Sequence, residues 1–296
     1  MEFILPQDED LLHYGKFFKF LSVDSAIKTL KSGKLRYSNP TIFNDPLDCS
    51  KFLFDFKISK EMLTAQPPTP YEKELVGKLI NERYGQSLID SVDWVYDLKK
   101  LKAGINDEMK ISFLKRTQQE IFSKEEIEKY RIACFSKSYY SEKSFLMWSH
   151  YAESHKGICL EFDNRKESDL NKLKKFAPVN VQYQSMLPNI RTKVEFESNN
   201  WLWIKSNLFK YEGEVRIIRK MNKARSSSSF AFPKKYLTKI IFGVNTSVET
   251  IKKVKTILLD QYELDEIDYE KMDINKKNWR LAKNNYDIHK MVPYKI

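Results

Sequence analysis

The spacing of apolar residues predicts four helices. In these segments the apolar side chains tend to recur every three or four positions, the period of one helical face. The predicted helices are a short one that ends near Gly33 and three more over residues 144–153, 191–209 and 248–261. Ser22 or Asp24 can cap the first turn of the short helix, and Gly33 favours the left-handed backbone that ends a helix.

Short runs of β-branched and aromatic residues between turn signals predict a set of strands. The predicted strands cover residues 13–20, 34–38, 131–135, 157–162, 179–183, 212–219 and 239–243 and a tail segment around 288–294. Helices of unequal length separate them, which does not favour the regular βαβ alternation of a Rossmann fold. The chain also has no G-x-G-x-x-G or P-loop pattern. The pattern predicts a mixed α+β fold.

One long segment differs from the rest. Residues 57–129 are mostly charged, with Leu and Ile at helical spacing, and the proline-rich stretch 66–70 must be a loop. We interpret this segment as a mostly helical insertion within a single α+β domain that spans residues 1–296.

Composition supports a folded protein of the cytoplasm. Of the 296 residues, 42% are hydrophobic and 14% aromatic, which is enough for a substantial core. No apolar run reaches the roughly 20 residues that span a bilayer, and the N-terminus lacks the basic segment of a signal peptide. Cys49, Cys134 and Cys159 show no C-x-x-C spacing, which favours a reducing compartment. We expect Cys49 to be the most exposed of the three, because it lies in a predicted loop.

The net charge of +11 favours an acidic partner, such as a nucleic acid, a phosphorylated ligand or an anionic surface. The basic residues are spread along the chain, and no RNA-binding signature is present. Charge alone therefore does not identify the partner.

The first candidate for chemistry is a pair of carboxylates, Glu212 and Glu214, on either side of Gly213. In an extended segment, residues two positions apart point to the same side. Two like charges held together tend to raise one pKa, which is common in active sites. The alternative is an edge strand with solvated charges, in which a glutamate pairs with Arg216 or Lys210.

The second candidate is the segment 147–157, which contains Trp148, His150 and Tyr151. One interpretation is a polar cluster beside a stacking aromatic ring. The other is that Trp148 and Tyr151 belong to the core and that His150 is a buried histidine with its hydrogen bonds satisfied. His150 and His155 are five positions apart, which does not place two metal ligands on one helical face.

The third candidate is Asp45, in an Asn-Asp-Pro turn, with Asp48 close behind it. Asn and Asp before proline are strong turn formers. Alternatively, Asp45 or Asp48 joins Glu212 and Glu214 around a divalent cation. Carboxylates that hold Mg²⁺ are typical of nucleases.

Several short motifs, taken in order, resemble a bacterial family known as domain of unknown function 2971. The motifs are His13-Tyr14 with Lys16, Phe43-Asn44-Asp45-Pro46, Cys134-Phe135-Ser136, Met147-Trp148-Ser149-His150-Tyr151 and Tyr211-Glu212-Gly213-Glu214-Val215-Arg216. The resemblance runs from about residue 11 to about residue 244, outside the insertion. It implies no particular activity.

The same motifs more loosely resemble the ADP-ribosyltransferase superfamily. Those enzymes carry an Arg or His on a first strand, a Ser- or Tyr-bearing second element and a Glu before a late strand. Here His13, Ser136 and Glu214 match that order, with no arginine in the first element. In a His-Tyr-Glu arrangement, Tyr151 or Tyr139 fills the middle position. The resemblance implies a mainly antiparallel, split sheet core and NAD as the substrate.

The resemblance also implies roles for the motif residues. Glu214 stabilises the oxocarbenium-like transition state of nicotinamide–ribose cleavage, and Glu212 accepts a proton from the acceptor. The remaining cofactor-binding candidates are His13, Tyr14, Ser136, Trp148, His150 and Tyr151. A bacterial toxin or phage-defence effector is the expected biological role. The alternatives are a Mg²⁺-dependent nuclease and a non-catalytic module that binds nucleic acid or protein.

Overall fold

A computed structural model of the chain describes most residues outside the predicted insertion. The described residues are 2–6, 12–55, 115, 119, 123, 126–141, 143–190, 193–222, 228–262, 266–278, 280–288, 290 and 292–294. The insertion predicted over 57–129 lies outside them for most of its length.

Five α-helices have both ends in the described part of the chain. They are α1 (Val23–Ser32), α2 (Ser144–Tyr151), α3 (Leu170–Lys175), α4 (Lys193–Glu197) and α5 (Val248–Gln261). The Ser22 hydroxyl accepts a hydrogen bond from the Ser25 amide, and Gly33 has the left-handed backbone (φ 60°) expected at a helix end. The predictions of α1, α2 and α5 are confirmed.

Fourteen strands are described. They are β1 (Glu2–Ile4), β2 (Lys16–Leu21), β3 (Lys34–Arg36), β4 (Tyr130–Ser136), β5 (Ile158–Asp163), β6 (Val179–Asn180), β7 (Gln182–Gln184), β8 (Ile204–Ser206), β9 (Glu214–Lys220), β10 (Ser229–Ala231), β11 (Leu237–Phe242), β12 (Asp268–Asn275), β13 (Arg280–Asp287) and β14 (Val292–Tyr294). Ten of them form one sheet in the order β1-β9-β4-β2-β5-β11-β12-β13-β14, with β6 also paired to β9. Among the described pairings of this sheet, β11–β12 alone is parallel. The prediction of a mixed α+β fold with a mainly antiparallel sheet is confirmed.

The shortest described ladder of the large sheet joins β2 to β4. These strands pair through a single residue pair, Phe18 with Ser136. On either side the ladders are longer: β4 pairs with β9 along its whole length, from Tyr130 to Ser136. Beside the narrow junction, the Lys19 ammonium group donates a hydrogen bond to the Cys134 carbonyl at 2.6 Å. We call this junction the seam.

The two faces of the sheet are covered differently. On one face, a continuous core that includes Phe17, Phe135 and Val215 packs against α1 and α5. Because successive side chains of a strand alternate between faces, Glu214 and Arg216 of β9 point to the other face. There, one cluster contains Trp201 and a separate cluster contains Trp148.

The prediction of one long helix over residues 191–209 is wrong. Helix α4 ends at Glu197, Asn199 adopts a left-handed backbone (φ 58°), and a 3₁₀ turn follows over Asn200–Trp203. The consecutive residues Trp201, Leu202 and Trp203 are all buried. Three consecutive side chains cannot all lie on one narrow face of an α-helix, so burial of the whole run favours the tighter turn.

Within the described residues, we find no helix with both the length and the apolar character needed to cross a membrane.

Candidate functional site

The Glu212–Glu214 segment is a sharp corner and not an extended strand. Glu212 ends a 3₁₀ segment, Asn207–Glu212, and Gly213 has a left-handed backbone (φ 51°). Glu214 then begins β9, opposite Ser136 of β4. The sequence predicted that the two carboxylates point to one side of an extended strand. This is wrong, because the backbone turns between them. They nevertheless converge on one partner.

That partner is Lys205, on β8. Its Nζ atom lies 2.6 Å from Glu212 Oε2 and 2.9 Å from Glu214 Oε2. All three residues are buried, with 3% of Glu212, 3% of Glu214 and 6% of Lys205 exposed. A shared cation offsets the repulsion that two buried carboxylates would otherwise exert on each other.

Arg216 and Asp48 complete the arrangement. Arg216 Nε donates to Glu214 Oε1 at 2.7 Å, and its Nη1 donates to Asp48 Oδ1 at 2.9 Å. The predicted pairing of Glu214 with Arg216 is confirmed. The edge strand with solvated charges is wrong, because β9 lies between β1 and β4 and both side chains are buried. We call Asp48, Lys205, Glu212, Glu214 and Arg216 the charge cluster. Its three carboxylates face two cations, which leaves one net negative charge when all five groups are ionised.

The surroundings of the two glutamates shift their pKa values in opposite directions. Burial raises the pKa of Glu212 above its ordinary value, and the repulsion from Glu214 adds to this effect against the attraction of Lys205. Burial would also raise the pKa of Glu214, but Arg216 and Lys205 outweigh it and hold the pKa far below its ordinary value. The two cations therefore favour the ionised form of Glu214, whereas burial and the neighbouring Glu214 charge favour the protonated form of Glu212.

The protein's own cations occupy the place expected for a metal ion. Lys205 Nζ lies between Glu212 and Glu214 and is 3.7 Å from Asp48 Oδ2. Asp45 is engaged elsewhere, because its Oδ1 accepts the Leu47 amide in a turn. In the described part of the chain, no group of three or more His, Cys, Asp or Glu side chains is arranged to hold a metal. The geometry does not favour the predicted cation-binding group of four carboxylates.

Tyr151 of α2 connects the charge cluster to the surface. Its hydroxyl group donates to Glu212 Oε1 at 2.7 Å and accepts from Asn44 Nδ2 at 3.3 Å. Tyr151 is half-buried and Asn44 is exposed. Glu212 is therefore the member of the cluster linked to the surface through this chain of hydrogen bonds.

Ser136 and His13 lie at the same edge of the sheet as the glutamates. Ser136 Oγ is 2.7 Å from the Glu212 carbonyl oxygen, and so supports the corner at Gly213. His13 precedes β2; it is half-buried, and its Nε2 donates to the Lys16 carbonyl at 2.9 Å. Burial lowers the pKa of His13, and the positive charges of Lys137 and Arg165 lower it further.

The other predicted binding residues fall into two groups. Tyr14 and His150 are exposed, and His150 Nδ1 lies 3.4 Å from the Tyr211 hydroxyl oxygen. Trp148 is fully buried, packs against Phe20 and donates its Nε1 hydrogen to the Tyr139 carbonyl. The expected cofactor contact at Trp148 is therefore wrong, since its ring has no free face.

Two residues of the site differ from expectation. Cys49 is fully buried beside Arg216, and burial raises the pKa of its thiol well above the ordinary value. The prediction that it is the most exposed cysteine is wrong. The sequence motifs do not identify Lys205 as a site residue, although it follows the apolar run 201–204. A lone lysine in such a run indicates a buried cation, which requires a carboxylate partner.

Comparison with known proteins gives a family match over a stretch that contains most of the charge cluster. A family model described as protein of unknown function (DUF2971) matches residues 147–217. This stretch includes Tyr151 and four of the five residues of the charge cluster. It supports the family resemblance over that stretch and gives no support to an ADP-ribosyltransferase relationship. No curated protein and no solved structure matches the chain.

Proposed function

We propose that the protein is an ADP-ribosyltransferase-like enzyme that cleaves the nicotinamide–ribose bond of NAD and transfers ADP-ribose to a macromolecular acceptor. The observation that carries the proposal is geometric: two buried carboxylates share Lys205, with Glu214 also held by Arg216 and Glu212 linked to the surface through Tyr151. These surroundings raise the pKa of Glu212 and lower the pKa of Glu214. Neighbouring carboxyl groups whose environments push their pKa values apart are typical of enzymes that use one as an acid or base and the other as a fixed charge.

The charge cluster suits the first part of this reaction, cleavage of the bond to nicotinamide, and Glu212 suits the second part, attack by the acceptor. The bond from the ribose C1′ atom to nicotinamide breaks, and its electron pair leaves on the nicotinamide nitrogen. The ribose then carries a developing positive charge, which the net negative charge cluster stabilises more than the ground state. The acceptor attacks C1′ and gives up a proton, for which Glu212 is the base.

The sheet gives this proposal a second support. Strands β2, β4 and β9 are neighbours. His13 precedes β2, Ser136 ends β4 and Glu214 begins β9. Because these strands are antiparallel, the three residues lie at one edge of the sheet, beside the seam. Their chain order is the one expected of the superfamily, and a sheet with a narrow junction agrees with its split core.

The surroundings of His13 suit the phosphate groups of NAD. Lys137 and Arg165 are close enough to His13 to lower its pKa. Arg165 also pairs with Asp163 through two hydrogen bonds of 3.0 and 2.7 Å. Basic side chains at this edge attract an anionic substrate, in keeping with the net charge of +11.

The test is nicotinamide release from NAD, measured by chromatography. We expect release by the wild-type protein and a loss of at least about 100-fold in Glu212→Gln, because the base is removed without a change of shape. The matched control is Glu270→Gln. Glu270 is equally buried, accepts from the Tyr139 hydroxyl group and pairs with Lys239 at 2.6 Å.

Parallel incubations with DNA and RNA, with and without Mg²⁺, test the alternatives. Mg²⁺-dependent cleavage that disappears in Glu212→Gln would favour the nuclease. Binding without cleavage or nicotinamide release would favour a non-catalytic module. Either result, with no nicotinamide released by the folded wild-type protein, contradicts the proposal.

A further inference from the structure

We propose that Lys205 is a positioning residue, whose ammonium group draws the Glu212 and Glu214 carboxylates together and turns Glu212 toward Tyr151. Its relevance to catalysis rests on the proposed function, in which Glu212 is the base. The arrangement itself is measured independently of activity.

The contacts of Lys205 carry this inference. Nζ approaches Glu212 Oε2 at 2.6 Å and Glu214 Oε2 at 2.9 Å. The other oxygen of Glu212, Oε1, is thereby left to accept from the Tyr151 hydroxyl group at 2.7 Å. Lys205 thus fixes one oxygen of Glu212 in the interior while the second faces the residue that leads to the surface.

The origin of Lys205 in the chain explains why it can hold this position. It lies on β8, whose partner is β7, and Nζ lies 4.7 Å from the centre of the Phe209 ring. Glu214 and Arg216 come from β9, Tyr151 from α2, and Asp48 from the segment before β4. No single element places these groups, and the Lys205 ammonium group lies within 3.7 Å of carboxylate oxygens of Asp48, Glu212 and Glu214.

The charges around Glu212 determine how removal of Lys205 should change the pKa of Glu212. Lys205 and Glu214 are the charged groups that act on Glu212, with the Tyr151 hydroxyl group as a hydrogen-bond donor. Asp48 and Arg216 act on Lys205 and Glu214. Without the ammonium group, Glu212 would face Glu214 with no cation of its own, and its ionised form would be disfavoured.

A second Tyr–Glu–Lys triad provides an internal control. The Tyr139 hydroxyl group donates to Glu270 Oε2 at 2.5 Å, and Lys239 Nζ contacts Glu270 Oε1 at 2.6 Å. This triad has the same chemistry but no second carboxylate bound to its lysine among the described contacts. Lys239→Ala should therefore leave Glu212 unchanged.

The experiment follows the carboxyl carbon of Glu212 by NMR through a pH titration, with the signal assigned by its loss in Glu212→Gln. In Lys205→Ala we expect the titration midpoint to move up by about 1–3 pH units, whereas Lys205→Arg should move it less. Propylammonium, which replaces the atoms deleted from Lys205, should bring the midpoint back. The neutral analogue propan-1-ol should not.

If Lys205→Ala does not fold, Lys205→Met is used, because it keeps the bulk of the side chain, removes its charge and leaves the Glu214 carboxylate in place to act on Glu212. An unchanged midpoint in the variants, or equal effects of propylammonium and propan-1-ol, overturns the inference. Nicotinamide release is recorded on the same samples. Release without the expected shift defeats the positioning role alone, whereas the shift without any release by the wild-type protein defeats the proposed function alone.

Discussion

At the scale of single residues, the charge cluster is expensive to bury and stable only as a complete set. Glu214 contacts both cations, through Lys205 Nζ at 2.9 Å and Arg216 Nε at 2.7 Å. Both cations are themselves almost fully buried. Removal of one charge from such a group leaves its partners desolvated and unpaired, which is strongly destabilising.

Glu214→Gln is therefore expected to lower the free energy of unfolding by about 3–5 kcal/mol. Glu266→Gln, at an exposed position, should change it by less than about 0.5 kcal/mol. Urea unfolding monitored by tryptophan fluorescence measures both. A Glu214→Gln protein as stable as the Glu266→Gln control would show that the buried ion pairs are not formed. Glu214 contacts both cations, whereas Glu212 contacts Lys205. Glu212→Gln is therefore expected to cost less stability than Glu214→Gln and is the better variant for testing activity.

At the scale of secondary-structure elements, the backbone just before β5 lies very close to the backbone at the end of β2. A Cβ atom on Gly157 would overlap the Leu21 carbonyl oxygen at the end of β2. Gly33 presents a different case. It needs a left-handed backbone (φ 60°), but the nearest atom to its Cβ position is the flexible end of Lys234, at 3.7 Å.

Gly157→Ala is accordingly expected to destabilise the protein by about 3 kcal/mol or more, since two backbone segments must move apart. Gly33→Ala should cost only about 1–2 kcal/mol, the conformational penalty of the left-handed region. The thermal midpoints of the two variants give the comparison. Equal losses would mean that β2 and β5 have room to separate at Gly157.

The elements also differ in how far they follow from the sequence. Helix α5 keeps the bounds predicted over 248–261, because its apolar residues recur with a regular helical period. In the structure, the Ser247 side chain caps its first turn. The corner at Gly213 is not predicted, since a glycine between two glutamates is equally compatible with a strand. The helix prediction for the segment after Glu197 is wrong for another reason. Burial of Trp201–Trp203 in a tertiary cluster overrides the local helical preference.

At the scale of the whole molecule, the site lies where two smaller cores meet. Cys49 and Trp201 belong to the cluster on the β4–β9 side, whereas Tyr151 and Tyr211 pack against the cluster on the β2–β5 side. The charge cluster joins them at the edge of the seam. This convergence depends on strand order, which the sequence does not reveal. The residue types of the site were predicted, but the role of Lys205 was not.

The biological role predicted from the sequence, a bacterial toxin or defence effector, stays a prediction, as does transfer of ADP-ribose to a macromolecular acceptor. Both depend on whether the charge cluster performs acid–base chemistry. The central claim is that Glu212, with its raised pKa, is the group that accepts the proton, while Glu214 remains ionised throughout.

The most direct measurement is the pH dependence of nicotinamide release from NAD under saturating substrate. A base acts only when ionised, so the wild-type rate should fall as the pH drops through the pKa of Glu212, above the ordinary value of 4.5. The residual rate of Glu212→Gln should lack this fall, and Glu270→Gln should keep it. A wild-type rate that does not change over this range, or an identical profile in Glu212→Gln, would contradict the account.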